Sequence, residues 1–257
     1  MERVIKIAEK GPVFGAPRDA PLSETRVVYT QTRRVDVPAA TLNKNRIITG
    51  LENDATTTAY KMLRTQVLRR MTAHGWTSLA VTSAGSGDGK TLTAINLAIS
   101  LAREVNHTVL LVDADLRRPS ISRYFGYTPT AGLSDYLLDE IPLSEVLFNP
   151  GIERLVILPG GNPIANSSEL LSAPKMVRLA EELKTRYPAR LVLFDMPPLL
   201  AADDLLAFAP NIDAALLVVR EGKTHKDELK AAMEMLQVVN VLGTVLNQTA
   251  DASAGYY

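Results

Sequence analysis

The sequence predicts an α/β fold, a doubly wound and mostly parallel sheet with helices on both faces. Three observations carry this. Short apolar runs recur at 79–81, 108–112, 155–158, 191–194, 214–219 and 241–246, with helical patterns between several of them, notably 174–186 and 226–239. These runs are continuously apolar rather than alternating, as strands covered on both faces must be. A glycine-rich turn follows the first run, and aspartates stand where the second and fourth end. Right-handed crossovers between such strands give a doubly wound sheet, whose ligands sit beyond the carboxyl ends of the strands.

Of the 257 residues, 46% are hydrophobic, enough for a sizeable core. The 28 Lys and Arg balance the 28 Asp and Glu, so no global field draws the chain to nucleic acid or to an anionic bilayer. Cysteine is absent, which excludes disulfides and thiolate metal sites and fits a reducing compartment. No apolar stretch has the form of a signal peptide or the roughly 18–20 residues of a membrane span. The expectation is a cytoplasmic protein that reaches a membrane only through a partner.

Residues 1–50 read as an extended arm rather than a packed domain. Gly11-Pro12, Gly15-Ala16-Pro17 and Ala20-Pro21 punctuate it, and clear periodicity is missing. Within it, 27–32 has strand composition suited to a sheet edge or a neighbouring subunit. Arg33-Arg34 and Lys44-Asn45-Arg46 form a basic cluster, either a solvated face or a docking element. From 56 to about 71, Tyr60, Leu63, Val67, Leu68 and Met71 recur at steps of three and four. That is one apolar stripe of a helix, with Asp54 as its cap. Arg64, Arg69 and Arg70 lie off the stripe, free for contacts between subunits.

The run 79–81 leads into Ser83-Ala84-Gly85-Ser86-Gly87-Asp88-Gly89-Lys90-Thr91, and a helix with apolar Ala94, Ile95, Leu97, Ala98, Leu101 and Ala102 follows. Strand, glycine-rich turn and helix are the context a phosphate-binding loop requires. Glycines let backbone N–H groups curl inward around an anion, and the positive end of the helix adds to the same field. The candidate nucleotide-binding residues are Gly85, Ser86, Gly87, Asp88, Gly89, Lys90, Thr91 and Leu92. Lys90 would reach the β- and γ-phosphates, and the Thr91 hydroxyl would take a place on Mg²⁺. Ala84 stands where the strict pattern has its first glycine.

Two further strand ends carry acids. Leu110-Leu111-Val112 releases Asp113 and Asp115, whose spacing in an extended chain points both to one side. Arg117 and Arg118 follow, able to stabilise phosphate charge or to pair with carboxylates across an interface. Val192-Leu193-Phe194 releases Asp195, and Pro197-Pro198 stops that strand. A nucleoside triphosphate needs Mg²⁺ held by hard oxygen ligands. Asp195 is placed for that, which leaves Asp113 or Asp115 to orient an attacking water or hydroxyl.

In this order the motifs resemble the bacterial tyrosine kinases of capsular and exopolysaccharide export, relatives of the MinD and ParA switch ATPases. Residues 83–91 are similar to that family's Walker A loop, 110–117 to its Walker A′ motif and 194–198 to its Walker B. The segments 132–137, 168–171 and 243–247 also resemble family segments, and the likeness runs from about residue 55 to 249. It implies a kinase domain over 51–249, an arm over 1–50 for docking or oligomerisation, and a flexible tail over 250–257. The implied activity is an ATP- and Mg²⁺-dependent protein-tyrosine autokinase regulating exopolysaccharide or capsule polymerisation and export.

In that reading Lys90, Asp113, Asp115 and Asp195 are catalytic, with Asp113 drawing the proton from an incoming tyrosine. Thr91, Asp113 and Asp195 are the metal candidates, Asn247 sits near the adenine, and Tyr256 and Tyr257 accept phosphate. The implied partners are the cytoplasmic tail of a chain-length-determinant membrane protein, which recruits the kinase to the inner face of the membrane, a homo-oligomer and a protein-tyrosine phosphatase. No nucleic acid is implied: a ParA-like partitioning role would need a basic stripe. Three departures stand out, of which the last two favour an alternative, a MinD/ParA-like ATPase switch without kinase activity that binds a membrane partner. The family's Pro-Gly-Glu-Gly-Lys is here Ser86-Gly87-Asp88-Gly89-Lys90. Its oligomer motif Glu-x-x-Arg-x-x-Arg falls on Thr58, Lys61 and Arg64. Its tyrosine cluster is reduced to two residues.

Overall fold

All six apolar runs become neighbouring strands. In a computed structural model describing residues 32–49, 54–187 and 189–249, eight strands form one sheet. They are β1 (Arg33–Arg34), β2 (Ser78–Ser83), β3 (Thr108–Asp113), β4 (Phe148–Asn149), β5 (Leu155–Leu158), β6 (Arg190–Asp195), β7 (Ala214–Arg220) and β8 (Asn240–Asn247). Their order across the sheet is β1-β4-β5-β3-β6-β2-β7-β8. Every pairing is parallel except the short β4–β5 contact. Every residue of β2 and β6 is buried, which explains why those runs do not alternate.

Two apolar layers flank the sheet. On one face the helix Lys90–Ala102 packs beneath the helix Ala55–His74, whose stripe of Tyr60, Leu63, Val67 and Met71 is buried as the spacing requires. Asp54 caps that helix by accepting from the Thr57 amide at 2.8 Å, and Gly75 ends it in the left-handed conformation at φ 68°. On the other face Met176, Leu179, Ala180 and Leu183 of the helix Pro174–Thr185 join Phe194 and Phe208, whose rings meet edge to face at 4.9 Å.

Register decides where the chemistry falls. Val81 of β2 lies opposite Asp195 of β6, and Asp195 lies opposite Asp113 of β3. The glycine-rich loop and both acidic strand ends therefore emerge side by side on one edge of the sheet.

Two expectations are corrected. The arm is packed over part of its length: Leu42, Ile47 and Ile48 belong to the core, and β1 pairs with β4. The cause is hydrogen bonding as much as apolar area. Asn96 accepts from the Ile48 amide and donates to the Arg46 carbonyl, both at 3.1 Å, and Arg103 donates to the Thr49 carbonyl. The expected strand 27–32 lies outside the described residues apart from Thr32. The second correction concerns the arginines off the helix stripe. Arg64 pairs with Glu104 at 2.9 Å and donates to the Ser100 carbonyl, and Arg70 donates to the Leu242 carbonyl. Both are engaged within the chain, where they satisfy acceptors at the ends of neighbouring elements. Among the described residues, no helix is long and apolar enough to cross a membrane.

Candidate functional site: a phosphate loop ringed by carboxylates

The loop between β2 and the helix Lys90–Ala102 is shaped by two glycines in the left-handed region, Gly87 at φ 84° and Gly89 at φ 90°. Asp88 does not face solvent: its carboxylate is buried and accepts from the Gly85 amide at 3.0 Å, closing the loop on itself. The amides of Gly87, Asp88 and Gly89 donate to no protein acceptor among the described residues. Three unpaired N–H groups at the start of a 13-residue helix are an anion site by construction.

Lys90 stands over this loop between acids. Its ammonium is 2.9 Å from Asp115 Oδ2 and 3.3 Å from Asp195 Oδ1. Burial alone would lower the lysine's pKa. Asp195, Asp115 and Asp113 together outweigh that effect and raise it, so the cation is fixed. Asp195 is fully buried, and its second oxygen accepts from the Thr91 hydroxyl at 2.7 Å. Burial pushes its pKa up, against the pull of Lys90.

Asp113 is also fully buried. One oxygen accepts from the Ser120 and Ile121 amides, each at 2.8 Å, and the other, Oδ1, has no partner. Burial first, and then the neighbouring Asp195, raise its pKa to about 7. The hydroxyl of Thr91, both oxygens of Asp195 and the orphaned Asp113 Oδ1 make a set of hard oxygen donors. No group of three or more His, Cys, Asp or Glu side chains able to hold a metal occurs among the described residues. One or two carboxylates and a hydroxyl, completed by phosphate oxygens and water, are what Mg²⁺ uses in nucleotide sites, so the residues present fit that ion.

Asn247, at the end of β8, is pressed against the loop. Its amide donates to the Asp88 carbonyl at 2.8 Å, and a Cβ on Gly89 would overlap it. Leu92 and Asn247 line a cavity of about 460 Å³ that opens beside Gly87 and Gly89. Ser86 and Gly87 form the exposed crest of the loop.

The structure engages Arg117 away from this centre. Arg117 donates to Ser167 Oγ at 2.9 Å and pairs with Asp204 at 3.1 Å and Asp203 at 3.5 Å. Asp204 is a fully buried carboxylate that requires a cation, and Arg117 is spent there. The Arg118 side chain is exposed. Two other cations, absent from the sequence reading, do reach the loop: Arg220 donates to the Gly87 carbonyl at 3.5 Å, and the Lys223 ammonium lies 3.3 Å from where a Cβ on Gly87 would stand. Arg-x-x-Lys at the end of an apolar run was the only available signal. Tyr256 and Tyr257 lie outside the described residues.

This arrangement defines a P-loop nucleotide-binding domain of the doubly wound class. The sequence profile of the CobQ/CobB/MinD/ParA nucleotide binding domain matches residues 79–256. The chain is 34% identical over 203 residues to the tyrosine-protein kinase YwqD of Bacillus subtilis, spanning 77% of this chain and 84% of that protein. The kinase domain of the Escherichia coli tyrosine kinase ETK superposes with a TM-score of 0.74 at 30% identity, over 90% of this chain and 88% of that one. The septum site-determining protein MinD of Pyrococcus horikoshii, solved with Mg-ADP, shares the fold at a TM-score of 0.54 and 24% identity, over 65% of this chain and 68% of its own. The chain belongs to this nucleotide-binding family and, within it, to the bacterial tyrosine-protein kinases.

Proposed function

We propose that the chain transfers the γ-phosphoryl group of ATP to tyrosine hydroxyls, Tyr256 and Tyr257 of its own kind among them, in the service of polysaccharide export. The observation that carries the reading is the meeting of Lys90, Asp195, Asp115 and Thr91 within hydrogen-bond distance at the mouth of a loop with unpaired amides. Lys90 and the loop amides hold the phosphates. Thr91 and Asp195 hold Mg²⁺, with Asp113 close by, and the ion when bound neutralises charge on the β- and γ-phosphate oxygens.

Asp113 takes the proton. A general base works best when its pKa lies near the ambient pH, and Asp113 is raised to about 7 with one oxygen unengaged. A tyrosine hydroxyl, with a pKa near about 10, keeps its proton at neutral pH and needs such an acceptor. Asp115 holds Lys90 in place and so acts through the lysine. A membrane partner, whose cytoplasmic tail docks beside the nucleotide, supplies recruitment and activation.

Incubation of the purified chain with ATP and Mg²⁺, followed by phosphosite mapping, tests the reading. Phosphotyrosine is expected, lost in Asp113→Asn and reduced in the Tyr256→Phe, Tyr257→Phe double variant. Nucleotide binding and slow hydrolysis with no phosphotyrosine would instead identify an ATPase switch.

A further inference from the structure

The cavity beside the phosphate loop has an outer wall that the kinase reading does not use. Its lining joins Gly87, Gly89, Leu92 and Asn247, at and beside the loop, to Arg46 and Ile48 of the arm and to Tyr124. Its volume of about 460 Å³ is in the range of small-molecule sites.

The outer wall is built, not draped. Asn96, on the helix that starts the phosphate loop, is almost fully buried and holds both the Arg46 carbonyl and the Ile48 amide at 3.1 Å. Asn45 donates to the Tyr124 carbonyl at 2.6 Å. Between these anchors Arg46 adopts φ 58°, a left-handed conformation that a long side chain takes only when its surroundings impose it. Arg46 itself is exposed and lines the cavity.

A phosphate group on the loop amides leaves the rest of a nucleotide to be placed, and this cavity continues from the same glycines. Its walls suit a base and ribose: aliphatic Ile48 and Leu92, the phenol of Tyr124, the amides of Asn247 and Asn96, and a planar guanidinium able to stack on a heterocycle or to hydrogen-bond to it. We propose that the arm segment around Arg46 is the outer wall of the nucleoside half of the site, with Arg46 its contacting side chain. Nucleotide binding and seating of the arm then stabilise each other, because each completes the other's surface. This rests on the nucleotide reading above and adds to it a residue from outside the phosphate-loop motifs.

The test uses the full chain, with mant-ATP and Mg²⁺ as the probe and inorganic tripolyphosphate as a competitor that lacks a nucleoside. Arg46→Ala is expected to weaken mant-ATP binding about tenfold, the scale of a lost contact from a charged group, with tripolyphosphate competition unchanged. Asn96→Ala, which unlatches the wall, is expected to do the same, and in the wild type ATP should slow tryptic cleavage after Arg46 while tripolyphosphate does not. Equal weakening towards ATP and tripolyphosphate would move Arg46 to the phosphates and overturn the proposal. Wild-type affinity in Arg46→Ala, with cleavage indifferent to ATP, would overturn it while leaving the nucleotide reading intact. A wild type that binds no nucleotide would overturn both.

Discussion

Lys90→Met tests the charge arrangement most directly. Each of the two short lysine–carboxylate contacts, at 2.9 and 3.3 Å, has a Coulomb energy of about 5 kcal/mol at an effective dielectric of roughly 20. Desolvation of the three groups offsets most of this. The net cost of removing one member of a buried ion pair is about 3–5 kcal/mol, because the stranded charge stays buried. For a domain of this size that is a drop in melting temperature on the order of 10 °C. The loss should depend on pH, since Asp113 and Asp195 already have raised pKa values and rise further once the lysine is gone. As pH falls, Asp113, whose pKa already stands at about 7, takes up a proton, so the cost is smaller near pH 5.5 than at pH 8. The assay is thermal unfolding of the nucleotide-free protein at both pH values, for Lys90→Met, Asp115→Asn and the double variant. Adding Asp115→Asn to Lys90→Met should restore about 1–2 kcal/mol by removing one stranded charge. Equal losses at both pH values, or a double variant less stable than Lys90→Met, would refute the reasoning. A Lys90 variant is consequently no neutral inactive control.

Other outcomes follow from the same geometry. Gly89→Ala places a Cβ at φ 90° against Asn247, so it should cost about 1–3 kcal/mol from strain alone and abolish nucleotide binding; calorimetry should show Asn247→Ala relieving only the collision. Asp113 has a folded pKa of about 7, above its unfolded value of 3.8, so its contribution to stability is present below about pH 4 and lost as pH rises through 7. Asp113→Asn should therefore flatten the fall in melting temperature between pH 5 and 8 in the nucleotide-free protein. Arg220→Ala and Lys223→Ala, beside the crest of the loop, should each weaken MgATP binding by roughly threefold to tenfold without changing the fold, as titration calorimetry and circular dichroism would show.

Much of this was legible in the sequence because it is local. A buried parallel strand is continuously apolar, so the strands, and with them the positions of Asp113 and Asp195, follow from runs of Val, Leu and Ile. The glycine-rich loop declares itself through its neighbours. What escaped depends on partners far away in the chain. Arg117 reads as a phosphate ligand until Asp204, 87 residues on, is found buried beside it. Arg220 and Lys223 reach the loop only because β7 pairs with β2 in a register that sets Val218 opposite Ser83. The arm reads as linker since its anchor is Asn96, a polar residue on another element, and no periodic stripe announces such a contact.

The two side chains that grip the loop from outside shape what happens within it. In a trans peptide the C=O and N–H of one unit point in opposite directions. Arg220 draws the Gly87 carbonyl outward and Asn247 the Asp88 carbonyl, so the amides of Asp88 and Gly89 are turned towards the interior of the loop before any ligand arrives. Association then requires little rearrangement of the main chain, and selection at positions 220 and 247 would act on the speed of nucleotide capture as well as on its strength.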